Sequence, residues 1–135
     1  MKPVLFAPTA TTFETNGLGK LSDAASCTVK ETRNGAFELT LKYPVEGIHY
    51  SEIRQRSIIY AKPNPVDSAQ PFRVYRISKP INGLVTVYAY HISYDLTGIP
   101  VSPYSAASVQ AALAGFSTYA AVTNPFTFWS DMTAS

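Results

Sequence analysis

A chain of 135 residues, 46% of them apolar and only 15% charged, is long enough for one ordinary domain with a real core, or for one domain and part of the next. That balance excludes a disordered chain and leaves a surface poorer in charge than a solitary soluble domain carries, as expected where part of it meets a partner. A formal charge of +2 without a tight Lys/Arg cluster argues against nucleic acid; the lack of an apolar run near the roughly 18–20 residues of a membrane span, or of a secretion-signal core, points to a chain made and kept in cytosol.

The stretch "KPVLFAP" predicts a short strand between two prolines, suited to a sheet edge because proline cannot donate to a ladder. After a loop with glycines at 17 and 19, "ASCTVKETRNGAFELTLKYPV" alternates on both sides of Asn34-Gly35, the strongest short hairpin signal, since both residues tolerate the positive φ of a type I′ turn. In that alternation Cys27, Val29 and Glu31 share a side, and Cys27 reads as a small core residue. "PVEGIHYSEIRQRS" predicts a crossover with one helical turn, and "SIIYAKP" a further strand.

A second hairpin follows the proline-rich loop "NPVDSAQP". "FRVYRISKP" sets Phe72, Val74 and Arg76 against Arg73, Tyr75 and Ile77, and "INGLVTVYAYHISYDL" answers it beyond Asn82-Gly83. On this last strand the period of two puts Val85, Val87, Ala89, His91 and Ser93 on one face and Leu84, Thr86, Tyr88, Tyr90, Ile92 and Tyr94 on the other. Both faces carry apolar residues, so both are expected to be covered. "GIPVSP" ends the β region. "SAASVQAALAGF" then predicts one helix near 105–116, capped by Ser105 or Ser108 and stopped near Gly115. An aromatic strand-like segment, Phe126, Phe128 and Trp129, closes the sequence; an aromatic strand without a partner is an aggregation hazard, so the chain reads as truncated from something longer.

Chemistry-bearing pairs are few. His91 and Asp95 are four apart, a spacing that joins them on a helix but separates them by about 13 Å on a strand. Asp23, Glu31, Glu38 and Glu46 offer carboxylates, yet Glu31 and Glu38 flank a turn beside Lys30 and Arg33, where solvated charge is the ordinary finding. The sequence has no GxSxG elbow, P-loop or HExxH helix. One cysteine excludes an internal disulfide, and with His49 and His91 as the only other soft ligands no metal site and no cofactor is predicted. The nine tyrosines are the richer signal: Tyr88, Tyr90 and Tyr94, with His91 at the same strand, form a predicted contact surface for a protein, with glycan binding the minority reading.

Several segments together, "TNGLGKLSDAASCTVKETRNGAFELTLKYPVEGIHYSEI", "IIYAKPNP", "QPFRVYRISKPINGLVTVYAYHISYDLTGIPVSP" and "NPFTFW", resemble the N-terminal region of the tail-associated lysin or baseplate-hub family of siphophages and prophages of Gram-positive hosts. The resemblance covers nearly the whole chain and rests on segment order and composition rather than on one motif. It implies a virion structural protein of the tail tip, made in the host cytoplasm. Its β-barrel-like modules would assemble as a homotrimer below the distal tail protein, with the tape-measure protein as a further neighbour. No catalytic residue of the family maps onto this chain; a hydrolase or host-binding module would lie in a C-terminal part.

The resulting expectation is a mainly β (α+β) fold: a barrel-like antiparallel hub module over residues 1–98 with hairpins at Asn34-Gly35 and Asn82-Gly83, then the start of a second module over 99–135. "TVYAYHISYDLTG" would be a long barrel strand ending at the junction. The rival readings are a cell-wall hydrolase (endopeptidase) domain and a carbohydrate-binding module.

Overall fold

The computed structural model describes residues 2–33, 35–98, 102–103, 105–118, 120 and 126. The chain divides into two compact units, 1–92 and 93–135, so the first unit ends ahead of the expected residue 98.

The first unit is a single curled antiparallel sheet. Its strands are β1 (Val4–Phe6), β2 (Gly19–Lys20), β3 (Ser26–Glu31), β4 (Phe37–Pro44), β5 (Ile58–Ala61), β6 (Gln70–Ile77) and β7 (Leu84–His91), in the spatial order β2-β1-β5-β6-β7-β4-β3. The two outermost strands, β2 and β3, are consecutive in sequence. Between them the chain leaves one edge and joins the other: the Leu21 N–H donates to the Pro3 carbonyl at 2.8 Å, and the Ala25 N–H to the Lys42 carbonyl at 2.8 Å. A fully buried Leu21 anchors this corner in the core. The sheet is therefore a half-barrel whose edges are tied at one end, and the barrel-like, mainly β architecture is as the sequence predicts.

One prolines-at-the-edge expectation changes. β1 pairs with β2 on one side and β5 on the other, so it is interior; Pro3 and Pro8 flank it without having to donate, and the Pro3 carbonyl serves as an acceptor.

Both hairpins form. In the second, Asn82 (φ 53°) and Gly83 (φ 77°) are left-handed, and Ile81 and Leu84 exchange N–H···O bonds of 2.8 and 3.0 Å, which is the predicted type I′ turn. In the first, Glu31 faces Phe37 and the Thr32 N–H donates to the Ala36 carbonyl at 2.8 Å. That register leaves three residues, 33 to 35, in the loop rather than the two of a type I′ turn, and the conformation of Asn34 lies outside the described residues. The crossover "PVEGIHYSEIRQRS" contains a single 3-10 turn, Tyr50–Glu52, and carries the chain from β4 across β7 and β6 to β5.

Alternation sorts side chains onto two faces. The concave face holds the main core: Leu5, Leu39, Leu41, Tyr43, Ile59, Phe72, Val74, Val85, Val87 and Ala89, all buried. On the convex face Val4, Phe6 and Ile58 form a second, smaller cluster roofed by Ala10, Phe13 and Ile92, with Phe13 stacked on Tyr60 at 5.5 Å. Arg73 pins the loop after β1 to this face by donating from Nη1 to the carbonyls of Pro8 (2.7 Å) and Arg56 (2.8 Å).

Cys27 differs from its expected role. It does lie on the concave side, opposite Leu41, but β3 is an edge strand and the residue is exposed. Its surroundings still push the thiol up to about 11 by burial of the sulfur's environment, which keeps it protonated and weakly nucleophilic near neutral pH.

In the second unit, one 3-10 helix spans Ile92–Gly98 from the junction, and α1 spans Val109–Thr118. Ser108 is the cap: its Oγ accepts the Ala111 N–H at 3.2 Å and its carbonyl the Ala112 N–H at 3.0 Å. The helix thus starts and ends slightly later than 105–116, running past Gly115. Of the expected aromatic strand only Phe126 is described, so that strand lies outside the described residues.

Two glycines separate backbone strain from crowding. Gly83→Ala forces an L side chain into a left-handed turn but meets nothing within 4 Å, and costs about 1–2 kcal/mol. Gly47→Ala places a Cβ 2.6 Å from the Tyr43 hydroxyl oxygen, against a fully buried ring, and loses more. Urea midpoints of the two variants measure the order; a smaller loss at Gly47 would contradict this packing.

Candidate functional site: an aromatic and basic convex face

Three cross-strand rows build the convex face over β3, β4, β7 and β6. One runs Lys30, Glu38, Tyr90, Arg73; the next Thr28, Thr40, Tyr88, Arg76; the third Ser26, Lys42, Thr86. Threonine and tyrosine fit a pleated, half-exposed surface, and no Leu, Ile or Val stands in these rows. The face is neither a core layer nor an ordinary charged surface.

A β-bulge shapes its centre. Val74 faces Ala89, yet Arg76, two residues on, faces Tyr88, the very next residue of β7. Tyr75 is the extra residue. Before the bulge the alternation of β6 is as expected, with Phe72 and Val74 fully buried. After it the frame shifts: Arg76 turns outward and Ile77 inward, where it packs against the core. This corrects the grouping of Arg76 with Phe72 and Val74. In the unshifted frame a guanidinium would sit unpaired in an apolar core, at a cost of several kcal/mol.

The bulge brings Tyr75 onto Tyr90, rings stacked at 4.1 Å and 8° apart, with Tyr88 at 6.3 Å. The Arg76 guanidinium lies 5.5 Å above the Tyr88 ring, a cation–π distance. Burial among these rings, then its hydrogen bond to Tyr90, push the Tyr75 hydroxyl up to about 12. Tyr75 and Tyr90 each give one ring face to their stack, and the Arg76 guanidinium lies over a face of Tyr88.

Of the four residues expected at the contact surface, Tyr88 and Tyr90 are together on this face and half exposed. Tyr94 is not carried there by strand alternation, because β7 stops at His91 and the chain turns into the 3-10 helix; the expected long strand through Gly98 is shorter by that segment. Tyr75 and Arg76 complete the cluster instead. Their signal was present in the sequence: a charged residue in the inward frame of a strand is the mark of a bulge.

His91 belongs to the opposite face. It stacks on Phe37 (4.4 Å, 4°), meets Phe72 edge-on (5.6 Å, 85°), and its Nε2–H donates to the Gln70 Oε1 at 3.0 Å. Burial lowers its basicity below the usual value of 6.5. These contacts place the His91 ring at one end of the core.

A second polar cluster was not anticipated. The buried Tyr43 hydroxyl accepts the His49 N–H at 3.1 Å and reaches the Asp23 carboxylate at 3.5 Å; Asp23 also accepts the Ile48 N–H at 3.2 Å. His49 Nδ1 pairs with Glu52 at 2.8 Å, and Gly19 leaves the room its ring occupies, since a Cβ there would lie 2.6 Å from Nε2. Burial is the main cause that raises the Tyr43 hydroxyl's pKa. The cluster fixes the 44–52 loop and aims no group at a common point, so it reads as structural.

Among the described residues no group of three His, Cys, Asp or Glu side chains is arranged to hold a metal ion, and no helix is long and apolar enough to cross a membrane. No protein-family model, curated protein or solved structure matches the chain.

The lowered basicity of His91 has a definite sign. As pH falls through about 6.5 the unfolded chain takes up this proton while the folded one does not, so stability drops from there down to the folded value and then levels off. His91→Phe removes that contribution. Urea unfolding at pH 7.5 and pH 5 is expected to show a smaller decline in the variant than in the parent; equal declines would mean that His91 is not held neutral by the fold.

Proposed function

We propose that this chain is a structural module of a phage tail tip, the N-terminal hub region of a tail-associated protein. It would assemble as a homotrimer beneath the distal tail protein, near the tape-measure protein, and carry host-binding or lytic modules further along. The observation that carries the reading is the convex face: four adjacent strands whose outward rows are mostly tyrosines, threonines and basic groups, with the one carboxylate of Glu38, in a chain otherwise poor in charge. Tyr and Arg, the residues at the centre of this face, are among the types enriched at the energetic centres of protein interfaces. The half-barrel and the resemblance of the ordered segments to the hub family support the same reading.

On this proposal the chain acts by contact rather than by catalysis. The polar residues that might have formed an acid–base pair have other work: His91 sits in an aromatic stack, and Asp23, Tyr43, His49 and Glu52 hold a loop.

Antibodies raised against residues 1–135 test the proposal on induced virions of the source strain. Gold label at the tail tip is the expected result. Label absent from particles, or a clear lytic band from residues 1–135 alone in a cell-wall zymogram, would overturn it.

A further inference from the structure

The stacked tyrosines of the convex face carry a chemistry of their own. In the β6–β7 register Tyr90 faces Arg73 and Tyr88 faces Arg76, and the bulge inserts Tyr75 between them. Its ring then lies 4.1 Å from that of Tyr90 at 8°, and the two hydroxyls are hydrogen-bonded. Parallel rings whose hydroxyls meet are stacked in the same sense, so the carbons next to each hydroxyl lie over one another. Those are the carbons through which oxidised phenols join.

We propose that Tyr75 and Tyr90 form an oxidative cross-linking site, coupled into a dityrosine by a one-electron oxidant of the peroxidase class acting with hydrogen peroxide. Each phenol gives up one electron and one proton and becomes a phenoxyl radical. The two electrons and two protons reduce one hydrogen peroxide to two waters, while the radicals pair in one carbon–carbon bond between the stacked rings. The hydrogen on each joined carbon then returns to oxygen through solvent. The product keeps both hydroxyls and has lost two hydrogen atoms.

Charge and overlap select this pair over its neighbour. Glu38 faces Tyr90 across the β4–β7 register, and its carboxylate acts on Tyr75 more strongly than the Arg76 guanidinium does; negative charge eases the departure of an electron. Tyr88 has that guanidinium 5.5 Å above its ring, which opposes the same step. It also lies 6.3 Å from Tyr75 at 43°, without the overlap that coupling needs. Tyr75 is 38% exposed, so a small oxidant reaches it from solvent.

The bond would tie β6 to β7 beside the bulge and close a loop over residues 76–89, hairpin turn included. A cross-link removes conformations from the unfolded chain, so the coupled protein unfolds at higher urea than the parent. The site is independent of the assembly reading above.

The test treats dilute residues 1–135 with peroxidase and hydrogen peroxide, isolates the monomer by size exclusion in denaturant, and reads it by dityrosine fluorescence and peptide mass mapping. The parent monomer is expected to fluoresce, to lack two hydrogen atoms, and to give one linked peptide pair joining Tyr75 to Tyr90. Tyr75→Phe and Tyr90→Phe each remove one phenol and are expected to abolish the monomer's fluorescence, whereas Tyr88→Phe keeps it; circular dichroism checks that all three fold. Coupling carried out in urea is expected to lose the preference for this pair. A parent monomer without fluorescence, a bond mapped to other tyrosines, or a Tyr75→Phe monomer as fluorescent as the parent would overturn the proposal. Tail-tip labelling of virions does not depend on any of these results, so failure here is distinguishable from failure of the hub reading.

Discussion

The fold depends on one chain segment serving two sheet edges. Between Gly19–Lys20 and Ser26–Glu31 the backbone leaves β1 and joins β4, with the Leu21 and Ala25 amides making the last and first hydrogen bonds of each allegiance. An open seven-stranded sheet would leave its concave face to solvent. Tying the edges at one end forces the curl, and the curl lets Leu5, Leu39, Phe72, Val74 and Val87 bury one another without a second layer. β3 remains an outermost strand despite the tie, so Val29 is only partly covered and Cys27 is exposed although both point the way core residues point.

Much of this was legible in the sequence because the signals were local. Asn82-Gly83 between alternating runs specifies its turn by backbone sterics alone, and the strict alternation of Val85, Val87 and Ala89 against Thr86, Tyr88 and Tyr90 specifies two faces. The rest depended on information that spacing does not hold. Cys27 follows its strand's period correctly, but whether a face is covered depends on which strand becomes the edge. Arg76 was grouped inward because a period of two was carried through a bulge, and Tyr94 was grouped with the tyrosine face because the same period was carried beyond the end of β7. Both errors come from extending a regular strand where the chain ceases to be regular. The 44–52 loop was read only as a crossover; its rigidity comes from Asp23, some twenty residues earlier, and from Gly19 making room for an imidazole.

The two histidines show how little composition says about role. His91 has aromatic rings against it and an amide acceptor, an environment that favours the neutral ring. His49 has a carboxylate at 2.8 Å and lies over a glycine. Each stabilises a different end of the same sheet: one closes the core beside Phe37 and Phe72, the other clasps a loop to β2.

The bulge at Tyr75 also fixes what kinds of change β6 tolerates. With Tyr75 present, Val74 and Ile77 both point inward although an odd number of steps separates them, and the turn at Asn82-Gly83 lies in register with β4. Removing one residue between Val74 and Ile77 would restore a regular pleat and leave every later side chain on its present side, Ile77 still inward opposite Val87. A residue lost or gained between Gln70 and Val74 would instead turn the pleat over and set polar side chains against the core. Within β6 the bulge is therefore the one place where length can change without exchanging the two faces.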